Sequence, residues 1–123
     1  MILYMSFTAL ISNLQKEFNS AYPFLKLEFY KTIESGFSRK HIKDSVSLRA
    51  AGLKLPGVFE ISDIMSVGTL ENSLRIKFGL QVQVSRKSGP IWLETTKTDS
   101  WTLKQQNDHG RELSEPAKAQ VMS

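Results

Sequence analysis

The stretch Phe78-Gly-Leu-Gln-Val-Gln-Val-Ser-Arg-Lys-Ser-Gly-Pro-Ile-Trp-Leu-Glu-Thr-Thr96 decides how the chain is built. Leu80, Val82 and Val84 alternate with glutamines, the period-two pattern of a half-buried strand. Ser88-Gly89 reads as a two-residue turn, so the chain returns as a second strand over 91–96. With that turn Val84 faces Leu93 and Val82 faces Thr95 on the covered side of the sheet. Gln81, Gln83, Ser85, Trp92, Glu94 and Thr96 then fall on the opposite side.

Upstream, Ser66 is placed to cap a helix over 67–78 with Val67, Leu70, Leu74 and Phe78 on one stripe, and Gly79 to end it. The same order occurs earlier. Ser6 caps a helix over 7–21 whose positions Phe7, Leu10, Ile11, Leu14 and Phe18 follow the helical period, and Pro23 stops it. In the strand 24–31, Leu25, Leu27 and Phe29 alternate with Lys26, Glu28 and Tyr30. After a polar stretch from Thr32 to Lys43, Asp44 heads a short helix through Ala51, ended by Gly52, and Val58–Ser62 reads as a strand. The chain thus reads as helix–strand–strand twice, over 6–62 and 66–96. An internal repeat aligns Leu14, Phe18 and Tyr22 with Leu70, Leu74 and Phe78, with one gap before Leu25 meets Leu80. Equally, it aligns Met5, Ser6, Leu10, Leu14 and Phe18 with Met65, Ser66, Leu70, Leu74 and Phe78. Helical periodicity does not choose between these.

Amphipathic helices must bury their stripes, and isolated hairpins are marginal. The expected fold is therefore an α+β two-layer sandwich. Two αββ units give a four-stranded antiparallel sheet with two helices on one face, as in a permuted ferredoxin-like domain. A β-grasp is the alternative, distinguished by parallel pairing of its terminal strands. A short C-terminal helix follows from Asp99, over 100–107, and Asp108 onward reads as a flexible tail. The domain is taken as 1–107 and the tail as 108–123. Residue usage over the 123 positions, 41% hydrophobic and 23% charged, suits one globular domain.

Cysteine is absent, which excludes disulfides, thiolate metal sites and thiol catalysis. The apolar start ends at Asn13, far short of a membrane span, and carries no secretory pattern, so a cytoplasmic protein is expected. His41 and His109 stand alone, without a nucleophile or ligand set, and no phosphate-binding glycine loop or nucleophile elbow is present. Glu28, Glu60 and Glu94 fall on one sheet face, which a solvated surface explains more simply than paired-carboxylate chemistry. The expectation is a non-enzyme with no cofactor and no metal.

Two features remain for function. Tyr30 and Trp92 share the polar sheet face, along with Lys26, Val58 and Glu60. Exposed tryptophan marks recognition surfaces unless it is covered, here by Trp101 and Leu103 folding back. Tyr30, Trp92 and Trp101 are the candidate interaction residues. A third option is a small-molecule pocket between the sheet and the C-terminal helix near Trp92. The second feature is charge. Segment 31–54 carries Lys31, Arg39, Lys40, Lys43, Arg49 and Lys54 against Glu34 and Asp44. Segment 75–87 carries Arg75, Lys77, Arg86 and Lys87 with no acid. Arg39, Lys40, Lys43, Arg86 and Lys87 are the candidate phosphate contacts.

Across Phe78–Gly89, Trp92–Thr96 and Trp101–Leu103 the sequence resembles a family of small, uncharacterised bacterial α+β proteins, mainly over 64–107. The resemblance implies only that the second hairpin and the tryptophan-bearing helix belong together. The leading expectation is a domain acting through protein–protein or self-association contacts. The alternative is a nucleic-acid-binding module using segments 31–54 and 75–87.

Overall fold

The first apolar residues alternate instead of following a helical period: Leu3 and Met5 are buried, Ile2 and Tyr4 exposed. In the computed structural model, which describes residues 1–32 and 38–115, they form β1 (Ile2–Met5). There follow α1 (Ile11–Ala21), β2 (Leu25–Thr32), β3 (Arg39–His41), the single turn α2 (Leu48–Ala51) and β4 (Gly57–Glu60). The chain continues with α3 (Val67–Phe78), β5 (Gln81–Ser88), β6 (Ile91–Glu94), a 3-10 turn at Thr96–Thr98 and α4 (Leu103–Ser114). The strands make a four-stranded sheet, ordered β3-β2-β5-β6, and a two-stranded ribbon, β1-β4, with every pair antiparallel.

The fold is α+β, a four-stranded antiparallel sheet with flanking helices, consistent with a permuted ferredoxin-like topology. Among the described residues no strands pair in parallel, so the β-grasp alternative falls. Sheet membership differs from expectation in one respect. Val58–Glu60 was expected beside β2. It pairs instead with β1, and the three residues Arg39–His41, inside the supposed basic loop, take the place next to β2. Val58 and Glu60 therefore leave the polar face of the main sheet. Helix α1 also starts at Ile11 instead of residue 7, because strand pairing claims Ile2–Met5; Ser6 Oγ accepts the Ala9 amide outside the helix.

Leu25, Leu27 and Phe29 of β2 and Val82 and Val84 of β5 share one sheet face. They are buried with Ile11, Leu14 and Phe18 of α1 and Val67, Leu70, Leu74 and Phe78 of α3. The inner ribbon residues Leu3, Met5 and Phe59, and Ile61 just after β4, join the same core. Both αL glycines read from the sequence end their helices, Gly52 after α2 and Gly79 after α3.

The helix starts are tied together in pairs. Helix N-termini leave their first amides without intrahelical partners. Here Ile11 N–H donates to Val46 O (2.9 Å) and Leu48 N–H to Ala9 O (2.8 Å), joining the starts of α1 and α2. Val67 N–H donates to Trp101 O (3.0 Å) and Leu103 N–H to Met65 O (2.9 Å), joining α3 and α4. The next amides repeat the scheme: Ser12 to Asp44 O, Arg49 to Phe7 O, Gly68 to Asp99 O and Lys104 to Asp63 O. Side-chain caps come from Ser47, Ser66 and Thr102, not from Asp44 or Asp99.

The central strands are longer than their neighbours, which leaves part of each outer edge to be satisfied otherwise. Gln15 of α1 donates to Leu27 O at 2.8 Å, and Glu71 of α3 accepts the Val84 amide at 2.8 Å. Burial pushes the Glu71 carboxyl above its ordinary range, against the pull of the Val84 amide. Its contribution to stability is therefore full below the unfolded carboxyl value of about 4.3 and lost as pH rises through the folded value. Glu71→Gln keeps an acceptor and removes the charge. Its unfolding free energy, measured in urea, is expected to equal or exceed the parent's at neutral pH, with the gain shrinking in acid. Glu71→Ala, which leaves the amide unpartnered, is expected to lose about 1–3 kcal/mol.

The last helix runs past the expected end at residue 107 to Ser114 and lies on the sheet face that carries Arg86. Residues 116–123 of the expected tail, and Glu34 of the basic segment, fall outside the described residues. A Cβ at Gly110 would sit 2.8 Å from Phe24 Cβ and 3.2 Å from Phe24 O, so glycine permits the close approach of helix and strand. Gly110→Ala gains about 1 kcal/mol of helix propensity but overpacks a contact worth roughly 1–3 kcal/mol. A net loss of stability, read as a lower urea midpoint, is the expected result.

Candidate interaction surface

The sheet face away from the core is built by alternation. It carries Lys26, Glu28 and Tyr30 of β2, Arg39 and His41 of β3, Gln81, Gln83, Ser85 and Lys87 of β5, and Trp92 and Glu94 of β6. Gln83 and Ser85 at its centre are buried, although no helix lies over them, because the long side chains around them lie across the sheet. Glu28 accepts from His41 Nε2 at 2.6 Å and from Lys26 Nζ at 2.9 Å. Arg39 Nη2 donates to Glu94 at 2.8 Å, and its guanidinium lies 4.0 Å from the centre of the Tyr30 ring. The His41 ring meets Tyr30 edge-on at 5.5 Å. Lys26 Nζ stands 5.8 Å from the Trp92 ring.

The second hairpin turns one residue later than expected. Gly89 takes φ +60° with Pro90 behind it, glycine in the first central position of a type II′ turn. The register becomes Ser85↔Glu94, Arg86↔Leu93, Lys87↔Trp92 and Ser88↔Ile91. Which face each residue takes survives this two-residue slip, but the partners do not. Leu93 meets Arg86 instead of Val84 and is 41% exposed, and Val84 O receives the Thr95 hydroxyl at 2.9 Å.

The candidate residues separate. Tyr30 and Trp92 do share the open face. Trp101 does not. Its carbonyl is held by the α3 start, and its ring packs on His109 (5.4 Å) and near Arg86 (6.0 Å), on the α4 side. The covering of Trp92 by Trp101 and Leu103 therefore does not occur: Leu103 is buried in the core and Trp92 is 38% exposed. Among the basic candidates, Arg39 and Lys87 face the open side, Lys40 lies on the reverse of β3 opposite Lys31, and Arg86 donates to Gln106 under α4. Lys43 lines grooves beside His41. They do not share one face of the sheet.

A groove of about 310 Å³ does adjoin Trp92, lined by Ser12, Gln15, Lys16, Asn19, Lys26 and Asp44. It lies along α1, not between the sheet and the C-terminal helix. Among the described residues no cluster of histidines and carboxylates is arranged to hold a metal ion, and no helix is long and apolar enough to cross a membrane.

The outstanding exposed feature is β6 itself. As an edge strand it presents Ile91 (54% exposed), Trp92 and Leu93 in succession. The opposite edge, β3, presents Arg39, Lys40 and His41, all exposed, the charged composition that blunts a sheet edge. Three exposed apolar residues in a row were visible in the sequence as Ile91-Trp92-Leu93. The placement of Leu93 over Val84 had assigned one of them to the core. The short β3 left no such sign.

Fold and surface together define a small α+β domain with one apolar and one basic sheet edge. No protein family, curated protein or solved structure compared with the chain matches it.

Burial raises the Glu28 carboxyl, but the hydrogen bonds from His41 and Lys26 outweigh it and hold it below its ordinary value. Its stabilisation is therefore present above the unfolded value of about 4.3 and is lost as pH falls through the lower folded value. Glu28→Gln is expected to cost under about 1 kcal/mol at neutral pH. Urea midpoints taken down the acid limb should show the two proteins converging.

Proposed function

We propose that the protein is a non-catalytic association domain that binds a protein partner through the β6 edge and the adjoining Trp92. The observation that carries this reading is the asymmetry of the two sheet edges: one charged, the other exposing Ile91, Trp92 and Leu93 in succession. An unprotected apolar edge strand offers backbone donors and acceptors together with apolar side chains, the combination used in strand-addition interfaces. Nucleic-acid binding has less support. The Tyr30 ring face a base would use carries the Arg39 guanidinium, and Arg39 is itself paired with Glu94.

The same reading takes the domain as cytoplasmic and of bacterial type, resting on the absent cysteine and the family resemblance. It takes the halves as copies of one ancestral unit. Support for the copying comes from the matching buried stripes Ile11, Leu14, Phe18, Tyr22 and Val67, Leu70, Leu74, Phe78, the first of the two alignments.

The test replaces Trp92, and separately Lys40 on the opposite edge, with a photo-crosslinking amino acid in the expressing cell. Discrete crosslinked species at position 92 and none at 40 are expected. Crosslinking at 40 alone, or at neither, overturns the reading.

A further inference from the structure

We infer that the partner seated on β6 is a second copy of the same chain, paired antiparallel about Leu93 so that two four-stranded sheets join into one. This rests on the association reading above and adds the identity of the occupant.

Backbone directions come first. Lys87 N–H donates to Phe24 O at 2.9 Å, so Lys87 bonds toward β2. Thr95 N–H donates to Val84 O at 3.3 Å, so Val84, and with it Arg86 and Ser88, bonds toward β6. Alternation along an antiparallel pair then turns the amides and carbonyls of Ile91 and Leu93 inward and those of Trp92 and Glu94 outward. Among the described residues no other backbone group reaches these outward groups.

Outward groups two residues apart are self-complementary. When two β6 strands lie antiparallel with Leu93 opposite Leu93 of the second copy, Trp92 stands opposite Glu94 and Glu94 opposite Trp92. Both outward amides and both outward carbonyls of each chain find partners, giving four hydrogen bonds across the two-fold axis. Other registers do less well. Centring on Trp92 sets Glu94 against Pro90, which has no amide to offer.

Side chains agree with that register. On the core-side face, exposed Leu93 meets its own copy at the axis. On the open face, the row across the joint reads Lys87, Trp92, then Glu94 of the second copy, so cation, aromatic and anion follow one another and no like charges are adjacent. The β3 edge explains why assembly stops at two. Antiparallel β6 pairing is isologous and closes on itself, and the remaining ends of the joined sheet are Arg39-Lys40-His41, where the Arg39 and Lys40 cations oppose further pairing.

Sedimentation equilibrium over a concentration series tests the inference. The weight-average mass is expected to rise toward two chains, and Leu93→Lys, which sets two cations face to face at the axis, should hold it near one. Glu94→Pro removes an outward amide that the parent hairpin does not use, and should do the same with an unchanged far-ultraviolet circular dichroism spectrum. Hydrogen exchange gives a second readout: protection at the Trp92 and Glu94 amides should grow with concentration. A parent that stays at one chain up to millimolar concentration, a Leu93→Lys variant that associates like the parent, or protection growing elsewhere overturns it. A parent that is monomeric while position 92 crosslinks to a different protein overturns the second-copy inference and leaves the association reading standing. A monomer with no crosslink at 92 removes both.

Discussion

Four helices begin with their first two amides bonded to carbonyls in the segment before another helix, and the rest of the structure hangs on that reciprocal pairing. Each unmet amide at a helix start is a donor that burial would penalise. Pairing the starts of α1 with α2, and of α3 with α4, satisfies eight such donors with eight carbonyls that also lie outside regular structure. The helices are thereby tied to each other at one end through backbone alone. A one-turn helix such as α2 persists on these terms, with Leu48 buried and Ser47 capping it.

The same scheme of paired helix starts appears twice along the chain. In the sheet Leu27 pairs directly with Val84, and Glu28 with Gln83. Each of these pairs joins the first half of the chain to the second. The two halves differ chemically: α1 satisfies the β2 edge with the neutral Gln15, α3 satisfies the β5 edge with the carboxylate Glu71. The second half also carries a full-length α4 where the first has one turn, and that helix covers Arg86 on the core side.

Much of this was legible from residue order. The α1 and α3 stripes, the alternation through β2 and β5, both terminating glycines and the Ser66 cap are local signals that packing had no reason to override. Strand partners were not legible. Val58–Glu60 alternates as well as any strand, and nothing local says whether β1 or β2 will take it. The hairpin register turned on one residue: Ser88-Gly89 and Gly89-Pro90 are both turn dipeptides, and the positive φ demanded at the first position of the turn selects the second. A signal for the paired helix starts was present but unused. Asp44-Ser-Val-Ser-Leu48, Asp63-Ile-Met-Ser-Val67 and Asp99-Ser-Trp-Thr-Leu103 share one pattern, an aspartate three residues before the hydroxyl cap and an apolar residue after it. Reading Asp44 and Asp99 as caps hides it. Their carbonyls, not their carboxylates, serve the partner helix. Trp101 was misplaced for the same reason, since the paired starts fix its position on the α4 side.

The Gly89 amide at the hairpin tip donates to Ser114 Oγ in the final turn of α4, 3.2 Å away. Helix ends fray before their middles do. Unwinding of that closing turn would remove the hairpin tip's only side-chain hydrogen bond to α4 among the described residues. One hydrogen bond thus ties the closing turn of the helix to the hairpin tip, as a latch ties a door to its frame.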